Sequence, residues 1–471
     1  MTDGSYDLVI LGAGSGGYAC ALRAAELGKR VALIERDKVG GTCLHRGCIP
    51  TKALLHAAEV ADLAAEGPGI GVLSSLAGID MGGVNAYKDK VVTRLWKGLT
   101  GLVASRKIEV IEGTGRLVSP TSVQVGDRVL TGEHVVLATG SDTRTLPGLE
   151  IDGRRIITSE HALQLDHVPS SVVVLGGGVI GVEFASVWKS FGADVTIVEM
   201  LPHLLPTEEE SSSKLLERAF RRRGIAFKTG VRFESVKDNG DGLTVTLSDD
   251  TTVDAEFLFV CVGRGPVSAG LGYDEVGVAM DRGFVLVDEY CRTNVPTVSA
   301  IGDLRPGPQL AHVGFAEGIM VAERLSGLNP QPVDYDGVPR ITYSSPEVAS
   351  VGITSAQAGD RGIEFTEFTY DLAGNGKSQI LQTAGAVKVL VEGPAGGSGG
   401  SSPRDAAAGR TLGVHVVGAR AGDLISEAQL LVNWEATPAD VAQLIDPHPT
   451  QSEAIGEAFL ALAGKPLHNH G

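Results

Sequence analysis

Cysteine is scarce in this sequence, five among 471 residues, which excludes a disulfide-stapled scaffold. Aromatic residues are few as well, at 5%. No apolar run approaches the roughly 18 residues of a membrane-spanning helix. Met1-Thr2-Asp3-Gly4 lacks the basic and apolar regions of a signal peptide, so a cytoplasmic protein with no membrane contact is expected. Basic residues are outnumbered, 40 against 57 acidic, and the formal charge of −17 repels nucleic acid and anionic membranes alike. A basic partner suits such a surface better. Glycine, in contrast, is plentiful at 63 residues, yet with 21 prolines the chain stays below the composition of a disordered protein. Its length suits two to four domains of about 100–200 residues each.

Two stretches share one order of elements. The apolar run Tyr6 to Leu11 reads as a buried strand. It leads into Gly12-Ala13-Gly14-Ser15-Gly16-Gly17, an amphipathic helix ending near Gly28, and a strand Arg30 to Ile34 that finishes at Glu35. The order recurs in Ser171 to Leu175, Gly176-Gly177-Gly178-Val179-Ile180-Gly181, a helix to about Phe191, and a strand Asp194 to Val198 that finishes at Glu199. In both copies the acid stands 23 residues beyond the first glycine. One G-x-G-x-x-G is weak evidence in a glycine-rich chain, but two copies with the acid in register indicate dinucleotide sites. Gly12 and Gly176 permit the tight turn, Gly14 and Gly178 let backbone N–H groups approach a pyrophosphate, and Gly17 and Gly181 let helix and strand pack closely. The anion then lies at a helix N-terminus, where unpaired N–H groups and the positive dipole end favour it. Two redox carriers in neighbouring domains can exchange a hydride. At the second site Glu199 would repel a 2′-phosphate and Met200 to Leu205 offers no arginine to receive one, so non-phosphorylated NAD is expected. Arg221-Arg222-Arg223 fall on a later helical stretch and read as a solvated face.

From about Arg144 to Gly263 the chain reads as one insert carrying the second nucleotide fold, reached through Ala138-Thr139-Gly140-Ser141 and left at Gly263-Arg264. Beyond Leu325 come strand-like runs, Ala386 to Val391 and Leu412 to Val417, with helices after Leu424, as in a third domain. The stretch Gly393 to Gly409, which includes Gly396-Gly397-Ser398-Gly399-Gly400-Ser401-Ser402, reads as a flexible hairpin loop.

The run Gly40 to Lys52 places Cys43 and Cys48 five positions apart, with Pro50 favouring the first turn of a helix. Zinc fits poorly, because the spacing is not C-x₂-C and no second pair lies near. Two buried thiols that happen to lie close are the bland alternative. A dithiol that cycles to a disulfide fits best, since a thiolate near a helix N-terminus has a lowered pKa and is the species that reacts.

Placed after a glycine fingerprint, Gly40 to Lys52 resembles the redox-active segment of the class I pyridine nucleotide-disulfide oxidoreductases, the flavoprotein disulfide reductases, and among them those that act on dihydrolipoamide. Gly302-Asp303 and Leu310-Ala311-His312 through Glu317-Gly318 are similar to the family's second FAD segment. Tyr343 to Gly352 is similar to the start of its dimerisation domain, and His448-Pro449-Thr450-Gln451-Ser452-Glu453 to its acid–base motif.

The resemblance implies an α/β fold with two Rossmann-like domains, an FAD domain over 1–143 and 264–336 and an inserted NAD domain over 144–263. An α+β dimerisation domain over 337–471 completes the expected fold. It implies that FAD is held by Gly12, Gly14, Gly17, Glu35, Lys52, Thr139, Gly140, Ser141, Gly302, Asp303, Ala311 and His312. NAD falls to Gly176, Gly178, Gly181, Glu183, Glu199 and Gly263. Catalysis falls to Cys43, Cys48, His448, Glu453, Lys52 and Glu183. Cys43 would exchange with the substrate, Cys48 would face the flavin, His448 backed by Glu453 would act as base, and the Lys52–Glu183 pair would lie beside the flavin. Oxidation of protein-bound dihydrolipoamide with reduction of NAD⁺ follows, in a homodimer served by a lipoyl-bearing acyltransferase or a glycine-cleavage carrier protein. A glutathione- or mycothiol-type reductase, or a docking subunit with an inert flavin site, are the alternatives. Gly181 and Glu199 speak against the NADPH-using reductases, and no cysteine follows Cys291, unlike relatives with a C-terminal pair. His45-Arg46 and Asp446-Pro447 depart from the usual Asn-Val and His-Ala beside the substrate path. Cys20, Cys261 and Cys291 are expected to be ordinary buried thiols, and His468 and His470 a tail.

Overall fold

The run Tyr6 to Leu11 is continuously apolar because its strand, Asp3–Leu11, is buried on both faces: Tyr6, Val9 and Leu11 enter one core while Leu8 and Ile10 enter the other. The computed structural model describes residues 3–393 and 406–468. In it the strand pairs in parallel with Val31–Glu35 on one side and Arg128–Leu137 on the other. Glu109–Glu112 extends the sheet beyond Val31–Glu35, the antiparallel strands Ser122–Val125 and Gly115–Ser119 extend it beyond Arg128–Leu137, and Val298–Ala300 joins the latter in parallel. Helices Ser15–Glu26 and Ala311–Leu325 cross one face so closely that a Cβ on Gly318 would collide with the carbonyl of Gly16.

The second nucleotide-like sheet is wholly parallel, in the order Ala226–Thr229, Asp194–Glu199, Ser171–Leu175, Phe257–Val260 and Ile156–Ile157. Its central strand again divides its side chains, Val172 and Val174 to one core and Val173 and Leu175 to the other. The chain passes between the two sheets along Ser141–Thr143 and returns along Arg264–Pro266, and these segments pair antiparallel as a two-stranded ribbon.

The third sheet is antiparallel throughout, in the order Arg340–Thr342, Glu347–Gly352, Thr411–Gly418, Ala386–Glu392 and Phe365–Asp371. One face carries Ala349, Val351, Val387, Val389, Val414 and Val416 against helices Ala421–Asn433 and Glu453–Leu462. The stretch read as a flexible hairpin loop lies, over residues 394–405, outside the described residues. Phe459 of the last helix is fully buried in this core. Phe459→Ala is expected to cost about 3–5 kcal/mol, read as a lower midpoint in chemical denaturation of the purified protein.

Candidate active site

The two glycine loops are built alike. Gly12 and Gly176 have φ of 104° and 117°, and a Cβ on either would strike a carbonyl of the neighbouring strand end, Ala138 or Cys261. Gly17 and Gly181 each lie against the carbonyl of the first glycine of their own loop, so a Cβ there would collide with it. These four glycines are demanded by the chain's own packing. Gly14 and Gly178 are not: each caps its helix with ordinary extended backbone, and a Cβ on either would meet nothing within 4 Å. The missing side chain keeps open the space in front of a helix N-terminus, which is where a pyrophosphate fits.

The acids complete the parallel. Glu35 accepts the Ala13 N–H at 2.8 Å and the Asp37 N–H at 3.0 Å; Glu199 accepts those of Gly177 and Leu201, both at 2.7 Å. A cavity of about 370 Å³ opens beside Glu35, lined also by Lys38, Trp96, Thr100 and Val110, and it has room for an adenosine. The residues fit a dinucleotide at each loop. Lys38 and Trp96 carry no motif; His45 meets the Trp96 ring edge-on, with centroids 5.9 Å apart, and bonds the Val39 carbonyl at 3.0 Å.

Ser141 donates to Asp303 at 2.6 Å and accepts from Arg264 Nε at 2.8 Å, so the ribbon holds the second proposed FAD segment. Gly302, at φ 68°, donates its N–H to the fully buried Glu317 at 2.6 Å. Thr139 Oγ1 is engaged with the Val267 carbonyl at 2.6 Å, and the Gly140 carbonyl accepts the Val267 N–H at 2.9 Å. Gly263, at φ 114°, accepts the Arg144 N–H at 3.0 Å. Ala311 opens the helix Ala311–Leu325, and His312 bonds the Pro339 carbonyl at 2.8 Å.

Cys43 sits in the short helix Gly41–Arg46, and Cys48 is the first residue of the helix Cys48–Glu66. They are free thiols, hydrogen-bonded to each other. The bond from Cys43, the nearby Lys52 ammonium and the helix's own N–H lower the Cys48 pKa to about 7 against the opposing effect of burial; Cys43 is raised, first by that same bond and then by burial. Lys52 follows one turn later and donates to both carboxylate oxygens of Glu183 at 2.9 Å. Glu183 is buried in the helix that begins beyond Gly178, and it also accepts the Tyr343 N–H at 2.9 Å, while the Lys52 ammonium lies 4.7 Å over the Tyr343 ring.

His448 is far less enclosed. Its Nδ1 bonds Glu453 at 2.7 Å, its side chain is 76% exposed, and among the described residues none of its hydrogen bonds reaches Cys43 or Cys48. Burial would raise the Glu453 pKa, but the Thr450 N–H at 2.7 Å and the His448 ring outweigh it and hold the carboxyl low. Single-chain geometry therefore joins Cys43, Cys48, Lys52 and Glu183 and leaves the His448–Glu453 pair apart.

Two readings need correction. Arg223 is no solvated residue: it donates to Asp62 at 3.0 Å and to Ser190 at 2.7 Å, because it stands three residues beyond the buried Phe220 and so on the inward face of its helix. His468 is no loose tail either, since its Nδ1 bonds the buried Glu457 at 2.7 Å. Cys20 and Cys291 are buried as expected, while Cys261 is only half-buried; burial raises the thiol pKa of all three.

Comparison with known proteins agrees with this geometry. The family described as pyridine nucleotide-disulphide oxidoreductase matches residues 6–318, and its dimerisation domain matches 338–398 and 404–459. The chain is 40% identical to a dihydrolipoyl dehydrogenase of Bacillus subtilis, covering 98% of this chain and 99% of that one. It is 38% identical to the mitochondrial dihydrolipoyl dehydrogenase of Pisum sativum, covering 98% and 92%, and 38% identical to a leghemoglobin reductase of Vigna unguiculata, covering 98% and 88%. Among solved structures, LpdA from Mycobacterium tuberculosis superposes with a TM-score of 0.87 at 27% identity, over 97% of this chain and 99% of that chain.

Gly14→Ala and Gly178→Ala are expected to leave the thermal midpoint of the nucleotide-free protein nearly unchanged while weakening nucleotide binding, the first seen as lost flavin absorbance. Gly17→Ala and Gly181→Ala should instead lower the midpoint. The ultraviolet thiolate absorbance of the reduced protein should titrate with a midpoint near pH 7 owed to Cys48, and Cys43→Ala should move that midpoint upward by removing the donated S–H.

Proposed function

The chain belongs to the pyridine nucleotide-disulphide oxidoreductase family, and on that premise we propose that it oxidises protein-bound dihydrolipoamide to lipoamide and reduces NAD⁺, using FAD and a Cys43–Cys48 disulfide. One observation carries this reading. Cys48 opens a helix whose next turn holds Lys52 against Glu183, a residue of the helix that closes the second glycine loop, so dithiol and NAD loop share one rigid support. The dihydrolipoyl dehydrogenases among its relatives support the substrate class.

The proposed chemistry begins with the Cys43–Cys48 disulfide. A substrate thiol loses its proton to His448 of the partner subunit, and the resulting thiolate attacks Cys43 Sγ. The Cys43–Cys48 bond breaks and its electron pair leaves on Cys48, where the helix N-terminus and Lys52 stabilise the thiolate. The second substrate thiol then attacks the mixed disulfide, releasing lipoamide and leaving the dithiol. FAD, when bound, supplies a two-electron acceptor between this dithiol and NAD⁺. Glu453 fixes the His448 ring through Nδ1 and leaves Nε2 to take the proton.

The division into 1–143 with 264–336 for FAD, 144–263 for NAD and 337–471 for dimerisation belongs to this proposal, as do the FAD and NAD contacts assigned above. The dimerisation domain makes a homodimer the expected assembly, and His448, exposed in one chain and bonded to Glu453 rather than to that chain's thiols, suits a site shared between two. The buried Glu199 carboxylate favours NAD over a 2′-phosphorylated cofactor. A lipoyl-bearing acyltransferase or glycine-cleavage carrier protein is the proposed source of substrate. Among the described residues no helix is long and apolar enough to cross a membrane, in keeping with a proposed cytoplasmic location.

Cys48→Ser is expected to abolish dihydrolipoamide-dependent NAD⁺ reduction while the purified protein stays yellow; unchanged turnover would overturn the relay. His448→Gln should lower that kcat by about 10²–10⁴-fold with flavin content intact, read in a steady-state assay of NADH formation.

A further inference from the structure

We propose that a polar row on the C-terminal sheet sets the affinity of the second glycine loop for NAD, acting through Glu208 and Glu209. The inference rests on the NAD site proposed above and adds positioning residues that lie outside it.

Ser350, His415 and Lys388 stand side by side on three adjacent strands, Ser350 opposite His415 and His415 opposite Lys388. Alternation along each strand puts them on the face opposite the valine-rich core, yet all three are buried. What covers them is the segment that precedes the helix Glu210–Arg223. Glu208 accepts from Ser350 Oγ at 2.5 Å and lies 3.4 Å from Arg340 Nε. Glu209 is itself buried and accepts from Lys388 Nζ and from the Ser355 N–H, both at 2.9 Å. Lys388 also pairs with Glu367 at 2.8 Å. Buried carboxylates held by this many donors have little freedom to move, because leaving any one of them unpaired is costly.

From Glu208 the constraint runs to the glycine loop in two bonded steps. The Glu208 N–H donates to the Leu205 carbonyl at 3.0 Å, and the Leu205 N–H donates to the Gly177 carbonyl at 2.8 Å. Gly177 in turn donates its N–H to Glu199 at 2.7 Å and is followed by Gly178, the glycine whose open side faces the helix N-terminus. Leu205 has φ 50°, a left-handed conformation that a branched side chain adopts only when its surroundings impose it. Held at Glu208 on one side and at Gly177 on the other, the Leu205 turn transmits a shift at the sheet to the backbone that would receive a pyrophosphate.

The test uses the FAD-loaded full-length enzyme and ADP-ribose, a redox-inert portion of NAD, titrated by calorimetry. Ser350→Ala, which removes one donor to Glu208, is expected to raise the ADP-ribose dissociation constant about threefold, and Lys388→Met about tenfold, with KM for NAD⁺ rising in parallel and kcat at saturating NAD⁺ unchanged. Lys388→Arg should restore most of the affinity. Dissociation constants within twofold of the parent in both Ser350→Ala and Lys388→Met, or a lower thermal midpoint with unaltered ADP-ribose affinity, would reduce the row to an interdomain tie and overturn the proposal. A parent enzyme that binds no ADP-ribose would instead remove the NAD site itself, and the proposal with it.

Discussion

One buried carboxylate, Glu183, holds three distant parts of the chain to a common centre. Its two oxygens take the Lys52 ammonium from the helix that begins at Cys48, and one of them also takes the Tyr343 N–H from the start of the C-terminal sheet. A charge so enclosed is tolerable only while its partners stay in place, and removing one partner of such a pair costs about 3–5 kcal/mol. The same contact carries the chemistry, because the ammonium that neutralises Glu183 also lowers the Cys48 pKa. Stability and reactivity therefore rest on one ion pair. A second polar knot lies farther along the same two helices, where Arg223 binds Asp62 and Ser190 and also reaches the Ser345 carbonyl at 3.0 Å. Between the two knots the redox helix and the helix of the second glycine loop cannot slide past one another.

The glycine loops, the dithiol and the His448–Glu453 pair are legible in the sequence because each is local. A tight turn, a helix N-terminus or a short His-to-Glu spacing leaves its mark within a few residues. The Lys52–Glu183 bond spans 131 positions, and spacing alone gives no sign of it; it enters only through resemblance. Trp96 sits on a long helix with nothing around it to mark a cavity wall. Glu208 and Glu209 look like any acidic pair ahead of a helix, and only the register of three remote strands shows that they meet Ser350 and Lys388. Arg223 is misread because a run of three arginines suggests solvent, although it stands three residues beyond the buried Phe220, and His468 because nearness to the terminus suggests solvent while the Glu457 carboxylate decides otherwise.

Glycine repays a closer look. Within each fingerprint the first and third glycines satisfy the fold and the second satisfies no contact of the chain. A position that no internal packing explains, at the mouth of a helix, is physical evidence for a ligand. It separates dinucleotide loops from tight turns that merely share their pattern.

The ribbon formed by Ser141–Thr143 and Arg264–Pro266 bears on the order of assembly during synthesis. The five parallel strands of the second sheet lie between residues 156 and 260, so that body has every strand it needs as soon as Val260 has emerged. The first sheet must wait for Val298–Ala300, which settles beside Arg128–Leu137. Vectorial synthesis thus lets the inner body close early and independently, while the outer one, begun first, finishes later. Because both ends of the inner body leave through one narrow pair of strands, its completion holds the two halves of the outer fold at the separation at which they must join.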